Sequence, residues 1–418
     1  MLELAYPSFH RQSNRRLFVF FHQLRNFLVD EHGNASRLLV WILGFFAFLN
    51  VYSMQALVPL VMHDFNASPA QAGATVGATV LAVALVSPFI GMLSDAYGRK
   101  VIIGTSLLLL TLPTALISLA DSLGTILLMR FMQGLAIPGI AVVLIAYIAE
   151  EFRVIGAARM TAAYVGGTVM GGFSGRFITG HVGHLIGWRG AFVTLALMNL
   201  LGALVAIRTL PASRHFVANR NFNGAFQMLR RHLSHPRLLA ASGVGFCVLY
   251  SLVGTFTYVN LHLAQPPFSL TTAGLANVFC VYLVGVVVTP LIGRHVVRLG
   301  FRKSLMYALL MSITGLLLTL LPSLPAVILG LIICSCGVFI CQSVTISFIG
   351  DCVSEGRSLA TGLYYMSYYA GGAVGSWVVG IAYEQGAWLA SVMAIAYVQL
   401  VAMAVAWFGW QKPTAATS

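Results

Sequence analysis

Carboxylates are scarce in this chain of 418 residues, and none falls in the middle of a long apolar stretch. Asp and Glu number 11 against 24 Lys and Arg, and charged residues make up only 8% of the chain, whereas about 25% is usual in a soluble domain. Hydrophobic residues make up 59%. Because apolar runs of 18 or more residues can cross a bilayer as helices, the chain is predicted to be a polytopic membrane protein.

Several sequence signatures of catalysis and metal binding are also missing. The sequence has no P-loop, so ATP is not the expected energy source, and no zinc-protease or serine-hydrolase motif lies within an apolar run. Cys334 and Cys336 are separated by one residue and have no His beside them, which is not a metal-ligand spacing. We therefore expect no enzyme, no metal and no cofactor. A membrane-integral enzyme or sensor is the remote alternative.

The apolar runs predict an all-α membrane protein with twelve transmembrane helices. Loops on one side are too short to form a domain, which argues against a receptor or a surface-displayed enzyme. The predicted helices span residues 38–62, 70–92, 101–120, 123–146, 159–180, 188–208, 237–263, 271–292, 304–321, 326–347, 359–383 and 388–410.

Basic residues predict the orientation of these helices. On the side that carries the N-terminus lie 21 of the 24 Lys and Arg residues, and such an excess marks the cytoplasmic face. Both termini are therefore predicted to be cytoplasmic. The formal net charge of +13 is read as a topology signal, and we expect the partner to be a lipid bilayer and not nucleic acid.

The sequence repeats after about half its length. Gly171, Gly175 and Trp188 recur as Gly371, Gly375 and Trp388, each 200 residues later, which predicts two pseudo-symmetric six-helix bundles. The predicted segments are an N-terminal tail (1–37), two bundles (38–208 and 237–410), a basic cytoplasmic linker (209–236) and a C-terminal tail (411–418). The N-terminal tail is either an amphipathic surface helix or disordered, and the linker is expected to contain a short amphipathic helix.

A charged segment, Gly91–Lys100, separates two apolar runs and is predicted to be a tight turn at the membrane surface. Its spacing, Gly-x-x-x-Asp-x-x-Gly-Arg-Lys, resembles the loop between the second and third helices of the major facilitator superfamily. In that family the motif gates the cytoplasmic side, where it usually has Arg at the position of Ala96. The resemblance implies a cytoplasmic gate formed by Gly91, Asp95, Gly98, Arg99, Lys100, Glu150 and Glu151. When this side is closed, we expect Asp95 near the start of the eleventh predicted helix, around 358–360, and Arg99 in contact with Glu150 or Glu151.

Two arginines are embedded in predicted helices, where a charge needs a partner or a wet cavity. Arg130, with Gln133 and Gly134, resembles the superfamily's Arg-x-x-x-Gly signature, which implies a role in proton coupling. Arg130 is alternatively satisfied by helix-end carbonyls or by Asn50 and Gln55. Arg176 lies about one turn from the outer end of its helix, so it either has a function or extends to the surface.

Arg176 also ends a glycine motif in the fifth predicted helix. The motif consists of Gly167, Gly171, Gly172, Gly175 and Arg176, and it resembles the superfamily's antiporter motif with Gly172 in place of Pro and Arg176 in place of the last Gly. Small residues allow close helix packing, and we expect this motif to contact a helix of the other half.

Polar residues in three predicted helices are candidates for lining a substrate cavity, because a tyrosine in mid-membrane needs a partner for its hydroxyl. For any one tyrosine, helix packing is an equal alternative. The candidates are Asn50, Tyr52, Gln55, Tyr258, Asn260, Tyr364, Tyr365 and Tyr368.

Taken together, these motifs resemble the drug:proton antiporter-type branch of the superfamily. The resemblance implies a monomeric secondary transporter in the bacterial inner membrane. It implies alternating access and proton-coupled export of a drug-like or sugar-like small molecule. The alternative is an organic-anion transporter or exchanger that uses Arg130 and Arg176, since no embedded acid neutralises them.

Overall fold

The chain folds almost entirely into helices, described by a computed structural model over residues 28, 35–152, 154–213, 230–285, 299–353 and 357–411. In chain order the elements are α1 (Arg37–Leu49), a 3-10 turn (Gln55–Leu57), α2 (Val58–Asp64), α3 (Pro69–Tyr97), α4 (Arg99–Ile117), α5 (Leu123–Ala136), α6 (Pro138–Glu151), α7 (Val154–Thr209), α8 (Pro236–Ala264), α9 (Thr272–Val278) with a 3-10 continuation (Phe279–Leu283), α10 (Phe301–Leu318), α11 (Leu324–Cys352) and α12 (Arg357–Gly409).

Eight helices in the described part of the chain are long and apolar enough to cross a membrane. The two longest, α7 and α12, each contain a non-helical pair, Ile186–Gly187 and Gly386–Ala387, at positions 200 residues apart. Where the sequence predicted the loops 181–187 and 384–387, the structure thus has two bends of two residues each. Twelve spans and the domain boundaries stay predictions, because residues 286–298, 214–229, 412–418 and most of the N-terminal tail lie outside the described residues.

The start of α3 shows how a polar sequence begins a long apolar helix. Ser68 accepts a hydrogen bond from the Gln71 amide, and the Gln71 side chain accepts one from the Ser68 amide. This reciprocal pair satisfies two amides that a helix start leaves open, and Pro69 at the first helical position has no amide to satisfy. The helix then runs without interruption for 29 residues.

The predicted turn over Gly91–Lys100 is shorter than expected, because α3 continues to Tyr97 and α4 begins at Arg99. Gly91 and Asp95 are therefore helical, and only Gly98 lies between the two helices. Gly98 has a φ of +94°, and Gly300 has +78° at the matching position of the second half. These positive values favour glycine.

The prediction of an unbroken first helix over 38–62 is wrong. The α-helix ends at Leu49, and the backbone tightens into i to i−3 hydrogen bonds from Val51 to Leu57 before α2 begins. The break takes the carbonyl groups of Asn50 and Val51 out of the α-helical hydrogen-bond pattern. Both can then accept hydrogen bonds from a side chain elsewhere in the bundle, although that of Asn50 also accepts from Ser53.

The glycines of the antiporter-like motif contact the same half of the chain, not the other half as the sequence suggested. A Cβ on Gly167, Gly171 or Gly175 would collide with backbone carbonyls of α1, namely those of Trp41, Phe45 and Leu49. The same contact recurs in the second half, where Gly371 and Gly375 lie against the carbonyls of Phe246 and Tyr250 on α8. The sequence repeat therefore corresponds to a repeated helix contact. We call each of these contacts between glycines and backbone carbonyls a glycine seam; one holds α7 to α1 and the other holds α12 to α8.

Candidate functional site

The two halves of the chain meet where α3 packs against α8 and α12. A Cβ on Gly73 would collide with the Tyr258 hydroxyl, and one on Gly77 would collide with the Ser376 hydroxyl. The Tyr258 hydroxyl donates to the carbonyls of Pro69 and Ser376. Tyr258 was expected to line a cavity, but here it lies inside this contact, because the glycines of α3 leave room for its ring.

An ionisable group joins the halves at the same end of the molecule. The Ala70 amide, in the first turn of α3, donates a hydrogen bond to the Glu384 carboxylate, 3.0 Å away. We call this end the Glu384 end, and the opposite end, where α3 turns into α4, the Gly98 end. From the charge distribution, the Glu384 end is predicted to face outward.

Toward the Gly98 end, α3 is much less covered. Leu85, Phe89 and Leu93 are each more than 40% exposed, and the helix lines a cavity of about 560 Å³ there. The halves therefore contact each other at the Glu384 end of α3, whereas apolar side chains toward its other end are exposed.

Gln55 links the halves deeper in the molecule. Its side-chain amide donates to the Thr257 hydroxyl over 3.0 Å, and its backbone carbonyl accepts from Asn260 over 3.0 Å. Thr257 and Asn260 both belong to α8, in the second half. Gln55 and Asn260, two of the predicted cavity residues, thus form a closing contact in this conformation.

Arg176 lies against Gln55 and is 1% exposed, so the alternative in which it extends to the surface is wrong. Its Nε donates to Gln55 Oε1 over 2.6 Å, and its Nη1 donates to the Gly172 carbonyl one turn earlier. Its Nη2 has no hydrogen-bond partner although it is buried. One arm of the guanidinium is therefore unsatisfied.

Three aromatic rings surround the Arg176 guanidinium. The centroids of Tyr52, Phe279 and Tyr282 lie 4.5, 5.0 and 4.3 Å from its central carbon. At such distances the ring faces attract a cation, by more than the exposed value of about 0.5–1 kcal/mol when water is excluded. We call these three rings the Arg176 cage. Tyr52 belongs to the first half, whereas Phe279 and Tyr282 belong to the second, so the cage contains residues of both halves.

The tyrosines of α12 form one cluster near this cage. Tyr364 and Tyr368 are buried. The rings of Tyr364, Tyr365, Tyr368 and Tyr369 form contacting pairs with centroid distances of 5.3 to 6.2 Å. The Tyr364 hydroxyl is buried without a partner, and Tyr52 lies within electrostatic range of Tyr368. Tyr52 of the Arg176 cage is thus near this cluster, and the lining of a substrate cavity by these tyrosines stays a prediction.

Arg130 is fully enclosed within the first half and has no carboxylate partner. Its guanidinium donates to the carbonyls of Thr75, Asn50 and Val51, at 3.1, 2.8 and 2.8 Å, and to the side-chain oxygens of Ser53 and Gln133. The break after α1 supplies two of these carbonyls. Helix-end carbonyls thus satisfy the charge, which was the alternative that the sequence left open.

The other residues near Arg130 belong to the same buried network. Gln133 donates to the Thr114 hydroxyl over 2.7 Å, and the Asn50 side chain exchanges hydrogen bonds with Asn199. Gly134 lies against the Thr79 carbonyl, where a Cβ would collide. Asn50 was expected to line the cavity, but it lies inside the first half because its amide pairs with Asn199.

At the Gly98 end, Arg99 is the centre of an ion-pair network. It contacts Glu150 through Nε at 3.1 Å and Nη2 at 2.5 Å, and Asp95 through Nη2 at 2.5 Å. It also donates to the Ser94 hydroxyl. The predicted contact between Arg99 and Glu150 is confirmed, whereas the gating role stays a prediction.

Two other gate predictions have different outcomes. Glu151 accepts a hydrogen bond from Ser213, at the end of the first half, so it is not needed to explain the position of Arg99. The side chain of Ser358, where Asp95 was expected to dock, lies outside the described residues. In this conformation Asp95 pairs with Arg99.

Sequence reasoning missed Phe279, Tyr282, Thr257 and Glu384 as parts of the contact between the halves. Glu384 directly follows the predicted helix 359–383, and only the fold shows that its carboxylate lies beside the Ala70 amide. Phe279 and Tyr282 lie in an apolar run and carry no sequence signal of their own, because their role depends on the contact with Arg176. Among the described residues, no group of three or more His, Cys, Asp and Glu side chains is placed to hold a metal ion.

Comparison with known families and proteins shows which family the chain belongs to. The sequence profile of the Major Facilitator Superfamily matches residues 40–277 and 260–418. The chain belongs to the major facilitator superfamily. It is 30% identical to the Inner membrane transport protein YnfM of Escherichia coli K12, over 87% of each chain. It is also 30% identical to the MFS-type transporter YybF of Bacillus subtilis, over 86% of this chain and 89% of that one.

Solved structures of this superfamily have the same fold. A bacterial homolog of the human lysosomal transporter Spinster, in an inward-facing and occupied conformation, has a TM-score of 0.76 at 16% identity, covering 90% of this chain and 98% of that one. The nucleoside transporter NupG has a TM-score of 0.73 at 15% identity, covering 90% and 100%. The family profile, the relative YnfM and the eight apolar helices together indicate a multi-pass inner membrane transporter.

Proposed function

We propose that this major facilitator protein is a proton-coupled secondary transporter that exports a small organic molecule by alternating access. The observation that supports it is the asymmetry of α3. At one end, Gly73 and Gly77 lie against Tyr258 and Ser376 of the other half, while toward Gly98 the helix is exposed. A transporter closed on one side and accessible on the other needs this arrangement.

In this proposal the transport cycle alternates between contacts that close the Glu384 end and contacts that close the Gly98 end. The Glu384 end opens when the contacts of Gln55, Tyr258 and Ala70 with the second half break. The Gly98 end then closes, and we expect Asp95 to leave Arg99 and approach the start of α12. A carboxylate there would meet the positive end of a helix dipole, worth about 0.3–1 kcal/mol.

Proton coupling is proposed from the resemblance of the Arg130 region to the superfamily signature. All described acids lie at helix ends or in turns, so a proton is carried by an acid near a loop, by the substrate, or by water near Arg130. The carbonyl groups around Arg130 hold its charge in place. Arg130 therefore acts in this proposal by positioning the broken first helix.

Two substrate classes follow from different observations. The resemblance favours a drug-like or sugar-like compound, which would rely on the tyrosines of α12. The unpaired Nη2 of Arg176 favours the second candidate, an organic anion. Arg130 is no longer a candidate ligand for that anion, because its donors are already used within the first half.

Flux into proteoliposomes tests the proposal. Purified protein is reconstituted, a pH gradient is imposed, and accumulation of neutral, cationic and anionic compounds is compared with protein-free vesicles and with vesicles in which a protonophore has collapsed the gradient. We expect at least one compound to accumulate against its gradient only when the pH gradient is present. Accumulation that ignores the pH gradient would contradict proton coupling, and no flux of any compound would contradict transport.

A further inference from the structure

We propose that Arg176 and the surrounding tyrosines bind the carboxylate and the ring of an aromatic monocarboxylate. This inference deepens the proposed transport function and rests on it, since the site lies between the two halves. It names the substrate class and assigns a site in which the cation comes from one half and most of the aromatic surface from the other.

The first argument is the unbalanced charge of Arg176. The guanidinium is 1% exposed, and one of its two terminal nitrogens has no hydrogen-bond partner. None of the described acids pairs with it, because they all lie at helix ends or in turns. A buried cation without a counterion is costly, and a bound carboxylate would accept from Nη2 and neutralise the charge at once.

The internal repeat shows that the fold itself does not need this arginine. Arg176 follows the seam glycine Gly175, and the residue that follows the matching Gly375 is Ser376. Both glycines form the same kind of helix contact, yet only one half places a cation beside it. The charge of Arg176 is thus not required by the seam, which leaves it available for a ligand.

The cage is built so that movement of the halves exposes the guanidinium. Gln55 and Tyr52 remain with Arg176, because they belong to the same half. Phe279 and Tyr282 belong to the other half and cover the opposite side. When the halves move relative to each other during the transport cycle, these two rings move away from Arg176, and Nη2 becomes accessible to an anion.

The tyrosine hydroxyls define the rest of the ligand. Those of Tyr52, Tyr282 and Tyr365 make no hydrogen bond to any described residue, and that of Tyr364 is buried without a partner. The rings of Tyr364 and Tyr365 contact each other edge to face, with centroids 5.3 Å apart. Ring faces next to free hydroxyls suit an aromatic body with a few polar substituents, since aromatic rings stack in offset or edge-to-face pairs.

A matched pair of probes tests this site on the full-length protein in detergent. Binding of 2-naphthoate and of its uncharged analogue 2-naphthamide is measured by isothermal titration calorimetry. We expect wild type to bind the carboxylate more tightly than the amide. Arg176→Gln should weaken 2-naphthoate binding by about 10- to 150-fold, the usual size of a charged hydrogen bond, and leave 2-naphthamide binding unchanged.

Control variants separate the site from general effects of charge or folding. Arg189→Gln removes an arginine that is about half exposed and pairs with Asp64, and it should leave both affinities unchanged. Tyr282→Phe keeps the ring and should weaken 2-naphthoate binding by a smaller factor, which tests the site even if Arg176→Gln does not fold. Thermal unfolding of each variant reports folding directly.

The outcomes distinguish this site from the transport proposal. Wild-type protein that does not bind 2-naphthoate, or binds it no better than 2-naphthamide, overturns the site, as does a folded Arg176→Gln variant with wild-type affinity. Selective binding without any flux in proteoliposomes would instead refute transport and leave the site standing. Flux of uncharged compounds alone, without carboxylate binding, would leave transport standing and refute the site.

Discussion

The amide of Ala70 and the carboxylate of Glu384 form a hydrogen bond of 3.0 Å across the two halves of the protein. Ala70 lies in the first turn of α3, and Glu384 lies at the end of the straight part of α12. An acid at the C-terminal end of one helix thus caps the N-terminal end of another, where the helix dipole favours negative charge.

Removing this carboxylate should favour opening at the Glu384 end. We expect Glu384→Ala to shift the closed-to-open ratio by about 2- to 5-fold, which corresponds to the 0.3–1 kcal/mol of a helix-dipole contact. Distances between spin labels on the two halves at that end would measure the shift. Asp121→Ala removes an exposed acid from the α4–α5 turn and serves as the control. Identical distance distributions in both variants and wild type would contradict the capping role.

Asp95→Asn should have the opposite conformational effect at the other end. Without a charge to approach the start of α12, closure of the Gly98 end is weakened, so we expect slower transport and more protein open at that end. The melting temperature should change little, since Asp95 is partly exposed and exposed ion pairs contribute only about 0–1 kcal/mol. Unchanged flux together with unchanged accessibility of the Gly98 end would refute this prediction.

A lysine at position 130, in the variant Arg130→Lys, should not replace the hydrogen bonds of the Arg130 guanidinium. The guanidinium satisfies three carbonyls and two side-chain oxygens at once, and an ammonium has only three donors. Each acceptor left unsatisfied costs about 1–3 kcal/mol. We therefore expect a lower melting temperature and loss of transport. Arg189→Lys, at an exposed position, is the control. Wild-type transport by Arg130→Lys, with proton dependence abolished by Asp64→Asn, would show that coupling lies elsewhere.

The glycine seams provide a test with a matched control inside one motif. In Gly171→Ala the new Cβ collides with the Phe45 carbonyl, whereas in Gly172→Ala its nearest neighbour is Arg176 Nη1 at 3.6 Å. Overpacking of this kind costs about 1–3 kcal/mol, so Gly171→Ala should unfold at a lower temperature than Gly172→Ala. Gly371→Ala should behave like Gly171→Ala, because it meets the Phe246 carbonyl. Equal melting temperatures for the adjacent variants would refute the seam.

Features with a local cause were predictable from the sequence. Glycine at positive φ fixes the turn at Gly98, and the repeat of 200 residues predicts matching halves. The Arg99–Glu150 contact follows from placing both residues at the same end of adjacent helices. Each of these predictions needs only the chain's periodicity and the chemistry of the residue itself.

Features that depend on partners far along the chain were not predictable. The break after Leu49 is marked only indirectly, by Pro59 in the first turn of α2. Its role becomes clear once Arg130 is seen to use the carbonyls of Asn50 and Val51. The burial of Arg176 depends on Phe279 and Tyr282, more than 100 residues away in the sequence. Helical periodicity places a residue on a face, but it does not say which helix covers that face.

The two glycine seams determine where this protein can deform. A joint between backbones, such as the one that Gly171 makes with Phe45, contains no rotatable side chain and cannot be loosened by a change of rotamer. Each half therefore behaves as a stiff lever. Between the halves the joint consists of side chains, such as Tyr258 and Ser376, which can swing aside. Mechanical compliance is concentrated there, so thermal motion is directed into rocking of the two levers and little of it is lost in bending them.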